Sequence, residues 1–495
     1  MSRKKLLIIG AGIAGLAAGC YGQRNGYDTE IFESHDIPGG LCTSWKRKGY
    51  TIDGCIYWLI GSNPADPFYK CWEKIGAFQD KQIIQFDEFY RVEDQGGRTC
   101  ILYSDVDRLE QHLIQLSPQD KDLIQELTSG VRLFAKFPTM RPKPTDLFSP
   151  LDWIRMVCKL LPFLGALRRY SAITIEQFCA RFKDSLLKEV FTLWGAPNSS
   201  VYFLMLMLAC FHMQNAGYPL GGSLEFSKSI EQEYRKLGGK IHYKSQVEQI
   251  IVEKGRTRGL RIASGSEFYG DYVLSSANGN ATMFDLLNGR YVDEKLKGYY
   301  EGLPTIASVQ VSLGIDYDLS GEPYWLMCKT ENPLTIADRQ INYVSFKNYS
   351  YDKSLCPEGK SVVVSLLDTS FDFWNKLSAK PQEYNAEKSR VAEFVIKELA
   401  KRYPGTNGKV EMIDVATPTT YVRYTDAWQG AYLSWLPTPN NSLLNISSTL
   451  PGLEGLYMIG QWTLPPGGLT GALLSGRWGI QLICHQDKKA FIGEK

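Results

Sequence analysis

Three glycines near the start of the chain are spaced to hold a phosphate. Gly10-Ala11-Gly12-Ile13-Ala14-Gly15 follows the continuous apolar run Leu6-Leu7-Ile8-Ile9 and leads into the helix-prone Leu16-Ala17-Ala18. Gly10 permits a tight turn, Gly12 lets the backbone approach a pyrophosphate, and Gly15 lets the helix pack closely on the strand. The N–H groups that open the helix, at Ile13 and Ala14, then face the phosphates with the helix dipole behind them. A second strand, 29–32, ends in Glu33-Ser34. That carboxylate lies about 20 residues downstream, where an acid accepts hydrogen bonds from ribose hydroxyls. It also disfavours a 2′-phosphate, so NADP is not expected there. Strand, turn, helix, strand and acid together specify a dinucleotide site.

Side chains for other chemistry are few. There is no nucleophile elbow and no pair of acids in a distinctive motif. The five histidines and eleven cysteines do not combine at ligand spacing, so no metal is expected. Tyr57 and His212 are the two polar side chains suited to relaying a proton. For each, a hydrogen-bonded place in the core is the more common setting.

Further elements must surround this site. Pro38-Gly39-Gly40-Leu41 follows the acid, then Gly49-Tyr50-Thr51-Ile52-Asp53-Gly54. Near the other end, 455–460 reads as a buried strand ending in Gly460-Gln461. Pro466-Gly467-Gly468-Leu469-Thr470-Gly471 and a helix follow it, giving a second strand, turn and helix start with backbone donors. Between them, Gly221-Gly222-Ser223 opens a helix over 224–237, and strand candidates follow at 240–243, 247–253, 259–262 and 272–276.

These motifs resemble the FAD-dependent amine oxidase and phytoene desaturase superfamily, in its phytoene desaturase, carotenoid isomerase and retinol saturase branch. Tyr218-Pro219-Leu220-Gly221-Gly222, Thr417-Pro418 and Arg423-Tyr424-Thr425 support that branch, and the likeness spans essentially the whole chain. The resemblance implies FAD as cofactor. It places Gly39 and Gly40 by the phosphates, Gly54 along the flavin, and a backbone group near Val247 at the adenine. It sets Gly460, Gln461, Gly468, Leu469 and Thr470 along the ribityl chain, pyrophosphate and pyrimidine. Leu41 stands where many members carry arginine, so contacts there come from the backbone. Gln461 stands where some carry an acid, and its amide can both donate and accept.

The expected fold class is α/β, a Rossmann-type FAD-binding domain with an inserted α+β substrate domain. The FAD domain is expected over 1–75, 215–285 and 451–495. A lid region with apolar helices is expected over 76–214 and a substrate domain over 286–450. No second G-x-G-x-x-G follows a strand, so no NAD(P)H domain is expected, and electrons would pass to or from a partner or a quinone.

Composition narrows the setting. A net charge of +2 over 495 residues argues against nucleic-acid binding. Scattered cysteines without a framework suggest reduced thiols in the cytoplasm. Lys4-Lys5 before an apolar run imitates a signal peptide, but the glycines mark the run as a nucleotide-binding turn. Residues 144–170 crowd Leu147, Leu151, Trp153, Ile154, Val157, Leu160, Leu161, Phe163 and Leu164 among Arg155, Lys159, Arg168 and Arg169. Such a segment is suited either to lie peripherally in a lipid interface or to act as a lid helix over the substrate domain. The apolar stretch 201–213 suits either core or an elongated apolar ligand.

The leading expectation is an oxidoreductase acting on a long apolar polyene or isoprenoid, as desaturase, saturase or cis–trans isomerase. One alternative is an amine oxidase-like flavoenzyme. The other is a non-catalytic prenyl-binding escort protein, against which the intact glycine sets argue.

Overall fold

The computed structural model describes residues 3–493, apart from positions 195, 293, 442, 443 and 445. A five-stranded parallel sheet runs in the order Lys240–His242, Asp28–Phe32, Lys5–Ile9, Tyr272–Ser275, Leu456–Met458. Its strands come from three distant parts of the chain. Leu6, Leu7 and Ile8 are completely buried because both faces of the sheet are covered.

Alternation along the first strand assigns the two coverings. Leu6 and Ile8 point into a cluster with Leu16, Ile230 and Ile480, from the helices Ile13–Arg24, Gly222–Lys236 and Gly468–Gln486. Leu7 and Ile9 point the other way, onto Ile250 and Leu260 of an antiparallel meander over Val247–Glu253, Arg256–Ile262 and Glu267–Tyr269. Tyr234 locks one helix down by donating to the Thr29 carbonyl at 2.8 Å. The helices from the two ends of the chain touch: a Cβ on Gly476 would stand 2.4 Å from the Ala14 carbonyl oxygen.

The second lobe is built on a seven-stranded sheet in the order Val410–Ala416, Ala307–Ile315, Ser361–Thr369, Arg339–Asn348, Trp325–Ile336, Glu88–Glu93, Thr99–Tyr103. All neighbours are antiparallel except Glu88–Glu93, which runs parallel to Trp325–Ile336. One sheet thus unites segments more than two hundred residues apart in sequence. The long helix Pro381–Arg402 covers one face through Val391, Val395 and Leu399. Around strands 88–103, the helices Val106–Leu116, Lys121–Phe134 and Val201–His212 form a separate apolar core. Pro150–Leu160 and Leu164–Ser171 make a short helical pair at its edge. No described helix is long and apolar enough to cross a membrane.

Candidate active site

The two glycine corners open at the carboxyl ends of strands in the same sheet, separated only by the strand Tyr272–Ser275. Ser276, just past that strand, donates to the Ile9 and Gly10 carbonyls at 2.7 and 3.0 Å. On its other side Ile459 N donates to the Ser275 carbonyl at 2.8 Å. The crevice outside the strand ends of an open α/β sheet is where such folds bind ligands.

Backbone geometry shapes the first corner. Gly10 has φ +90° and donates its N–H to the Phe32 carbonyl at 2.8 Å. A Cβ on Gly15 would lie 2.0 Å from the Gly10 carbonyl oxygen, so no other residue fits there. The second glycine loop lies against the first through a Gly12–Gly39 bridge, with Gly39 N donating to the Ala11 carbonyl at 2.9 Å. Gly39 has φ +112°, and a Cβ there would meet the Cys42 carbonyl oxygen at 2.2 Å. Gly12 and Gly40 are different. A Cβ on either would meet nothing closer than 3.6 Å, so both present bare backbone to open space.

Helix ends bear on the same crevice. No side chain caps the helix that starts at Ile13 and Ala14, nor the one that starts at Gly468. The leading N–H groups at Ile13 and Ala14 therefore lack the internal capping partner that a structural helix start normally carries, whereas Gly468 N is met from within by Gln461. An uncapped donor set flanked by bare glycine backbone fits an anionic pyrophosphate.

Glu33 is buried at the rim. One carboxylate oxygen accepts from Ala11 N at 2.7 Å, and the other from His35 N at 2.9 Å and the Ser34 hydroxyl at 3.2 Å. These bonds hold the carboxylate against the glycine loop and leave lone-pair capacity for a ribose hydroxyl. Leu41, half-buried, offers no charge to a phosphate. Gly54 N donates to the Thr43 carbonyl at 3.0 Å, and a Cβ there would strike the Trp45 ring at 2.6 Å. Val247 opens the meander beside Ile9 and Phe32, on the face of the sheet opposite the helices.

At the second corner the polar side chains are used by the protein itself. Gln461 Oε1 accepts from Gly468 N at 3.3 Å, and its Nε2 donates to the Tyr432 carbonyl at 3.5 Å. The amide pins the glycine turn from within, whereas the sequence suggested a ribityl partner. Thr470 donates to the Ile60 carbonyl at 3.2 Å, tying this helix to the segment after Gly54. Gly460 N donates to Ser475 Oγ at 2.7 Å, and Leu469 is half-buried against the same core.

Beyond the corners the wall is aromatic. Tyr57, Tyr421 and Tyr432 sit deep in the protein yet keep accessible surface, so they border an internal space, the candidate chamber. Burial, then the neighbouring Tyr421 and Tyr432, push the Tyr57 phenol well above its usual range, so it remains a neutral hydroxyl. Tyr421 donates to Gln310 Oε1 at 3.2 Å on the seven-stranded sheet. That sheet therefore supplies one wall and the segment 54–60 another.

Behind Tyr57 lies a residue the sequence reading missed. Lys347 is 2% exposed, and its Nζ lies 3.3 Å from the Tyr57 ring centroid, 4.8 Å from that of Trp325 and 5.0 Å from that of Tyr324. The amine has no hydrogen-bond partner among the described residues. Burial drives its ammonium well below the usual lysine range, while Asp53 and Cys55 work in the opposite direction. Aromatic faces return about 2 kcal/mol to a desolvated cation, less than the several kcal/mol that burying an ion costs. The neutral amine is favoured. The available signal was a lone cation within the buried run Val344-Ser345-Phe346-Lys347-Asn348-Tyr349.

Asp53 was missed as well. Fully buried, it accepts from the Ser223 hydroxyl, from Tyr218 at 2.7 Å, from Ser223 N at 3.1 Å and from Cys55 N at 3.1 Å. Burial raises its pKa and those donors pull it back. It fastens the segment 53–55 to the start of the helix Gly222–Lys236.

His212 is placed otherwise. It ends the helix Val201–His212, partly exposed, where Nδ1 accepts from Val106 N at 3.3 Å and faces Asp105 at 4.0 Å. Its neighbour Phe211 turns inward instead, 5.4 Å from Trp58 between ring centroids. The structure thus brings Tyr57 to the chamber and gives His212 a helix-end partner.

Residues 13–478 match the family described as flavin containing amine oxidoreductase. The chain belongs to that family. FAD is accordingly its cofactor, and the protein is an FAD-dependent oxidoreductase. Among curated relatives, the chloroplastic prolycopene isomerase of Arabidopsis thaliana is 25% identical, covering 98% of this chain and 83% of the relative. The 4,4'-diapophytoene desaturase (4,4'-diapolycopene-forming) of Methylomonas sp is 24% identical, covering 99% and 96%. All-trans-retinol 13,14-reductase of Homo sapiens is 23% identical, covering 98% and 87%. Among solved structures, an oxidoreductase from Methanosarcina mazei has a TM-score of 0.61 at 19% identity, covering 97% of this chain and 99% of that one. A putrescine oxidase variant has a TM-score of 0.63 at 12% identity, covering 98% and 99%. These structures share the fold.

Proposed function

We propose that this protein acts on a long apolar polyene or isoprenoid, changing the hydrogen content or the geometry of its double bonds. The observation that carries this reading is the part-accessible aromatic cluster next to the segment that follows Gly54, in which Tyr57 and Trp58 lie 5.8 and 5.9 Å from Trp325 between ring centroids and Tyr421 and Tyr432 neighbour Tyr57. Aromatic walls exclude water and stack on a conjugated chain. The prolycopene isomerase, diapophytoene desaturase and retinol reductase relatives are all named for polyene compounds.

Bound FAD supplies hydride exchange at its ring. The glycine backbone at Gly12, Gly40 and Gly468 would hold its pyrophosphate, and Glu33 its ribose. Tyr57 supports a role as the hydroxyl that donates or receives a hydrogen bond at the chamber wall. Lys347 packs against its ring as a positioning residue. His212, engaged with Val106, is left out of this scheme.

The test is to give the flavin-loaded protein a carotenoid in detergent micelles and weigh the products. A loss of two hydrogens identifies a desaturase, a gain a saturase, and an unchanged mass with altered retention an isomerase. Turnover of amines in place of polyenes would refute the reading. A colourless protein that binds prenyl chains without altering them would instead identify an escort.

A further inference from the structure

The helical pair 150–171 is apolar on two faces, and only one of them is covered. Its inner face carries Met156, Leu160, Phe163, Leu167 and Tyr170, of which Phe163 and Tyr170 are buried anchors. Phe163 packs on Phe137 with ring centroids 5.2 Å apart. The outer face carries Leu151, Ile154, Val157, Leu161 and Leu164, with Trp153 beside them, each between 46% and 63% exposed. No residue of the helix Pro150–Leu160 is buried. Single exposed leucines are ordinary, but a contiguous patch of this kind marks a contact surface.

Charge says what covers it. Arg155, Lys159 and Arg168 fringe the patch and make no ion pair among the described residues, whereas Arg169 is bound to Glu126 at 2.8 Å. Asp152, the acid nearest the patch, is neutralised by Lys143 at 2.8 Å. A second copy of the chain would bring the same positive fringe to a two-fold contact, which disfavours self-association. An anionic lipid surface satisfies both properties: its acyl boundary takes the apolar face and its headgroups take the cations.

We infer that residues 150–171 dock the protein on the surface of an anionic bilayer, lying in the interface rather than spanning it. The inner face of the pair leads towards the chamber. Leu167 packs into the core that holds the helix Val201–His212. On that helix Tyr202, Phe203, Leu206 and Met207 stay half-accessible, and Phe211 reaches Trp58. An apolar substrate dissolved in the bilayer would enter along this line, a corollary that rests on the proposed polyene chemistry. Docking itself does not.

Flotation of the full-length, flavin-loaded protein with vesicles tests the docking without any substrate. With phosphatidylcholine containing about one-third phosphatidylglycerol the protein should float with the vesicles, and with phosphatidylcholine alone it should bind at least about tenfold more weakly. An Ile154→Glu, Leu161→Glu double variant should lose about tenfold or more of the anionic binding. Arg155→Glu with Lys159→Glu should also lose about tenfold or more, since each basic residue contributes roughly fivefold at such a surface. The flavin spectrum and melting temperature of both variants should match the parent, because these side chains touch little of the fold. Absence of vesicle binding by the parent, or binding that both variants retain, would overturn the inference. So would a lipid-free dimer that Ile154→Glu dissociates, since the patch would then be covered by a second chain. Failure of polyene turnover with intact vesicle binding would leave docking standing and refute only the proposed chemistry.

Discussion

In the chamber wall one amine is enclosed by aromatic rings; on the helical pair 150–171, apolar side chains stand in solvent with amines around them. Lys347 and Lys159 are the same residue in opposite surroundings, 2% exposed in one case and exposed in the other. The interior lysine lies among rings that cannot fully replace water, so its charge is disfavoured. The surface lysine stands in water, open to whatever the surface meets. The two regions show that a mismatch with surroundings has different meanings inside and outside. Inside, it is maintained by the stability of the fold around it. Outside, it is relieved by whatever the surface binds.

The sharpest break between interior and surface should come from Gly15→Ala. Its Cβ would lie 2.0 Å from the Gly10 carbonyl oxygen, so the turn must open and the corner lose its shape. Purified variant should carry little flavin, read as loss of the absorption band near about 450 nm. Next in size is Lys347→Met. Turnover should fall by up to about a hundredfold, the cost of a small misplacement of the Tyr57 ring that Lys347 positions. The melting temperature should nevertheless rise, because methionine occupies the same space without a charge to suppress. The sign follows from linkage: Lys347 is held neutral in the folded protein and takes up a proton on unfolding. The unfolded chain thus binds more protons, and wild-type stability from this group rises with pH from the depressed folded value up to about 10.5, the ordinary value. The difference in melting temperature between variant and wild type should therefore shrink across that window. A pH-independent difference would mean that packing, not charge, separates them.

Asp53→Asn should cost about 2 kcal/mol in denaturant unfolding, since several donors to a buried carboxylate would lose an acceptor. The smallest effect belongs to the surface. Leu151→Ser with Ile154→Ser should change unfolding free energy by no more than about 0.5 kcal/mol, as expected of exposed positions. A larger loss would show the patch to be part of the core.

The sequence announced the parts of this molecule that depend on local backbone geometry. The run Leu6 to Ile9, the turn at Gly10 to Gly15 and the acid at Glu33 could be read directly, because strand burial, tight turns and ribose contacts each demand particular residue types at short spacing. The apolar stretch with its basic residues over 144–170 could also be read, though the exposure on which the lid and interface readings differ is not recorded by composition. The chamber could not. Tyr57, Lys347, Tyr421 and Gln310 lie far apart in sequence and meet only in the fold, where the strands carrying Gln310 and Lys347 join one sheet and Tyr57 packs against it. Gln461 and His212 were singled out as polar residues in glycine-rich or apolar settings. Their partners, Tyr432 and Val106, are fixed by tertiary packing that no local pattern encodes.

Mass spectrometry of the apolar extract from purified, flavin-containing protein bears most directly on what the chamber is for. A conjugated long-chain hydrocarbon recovered in proportion to flavin, and lost from a Trp58→Ala, Trp325→Ala variant that still binds flavin, is the expected result. Recovery of a polar amine, or of no apolar compound from a protein that holds its flavin and turns over no polyene, would contradict the account.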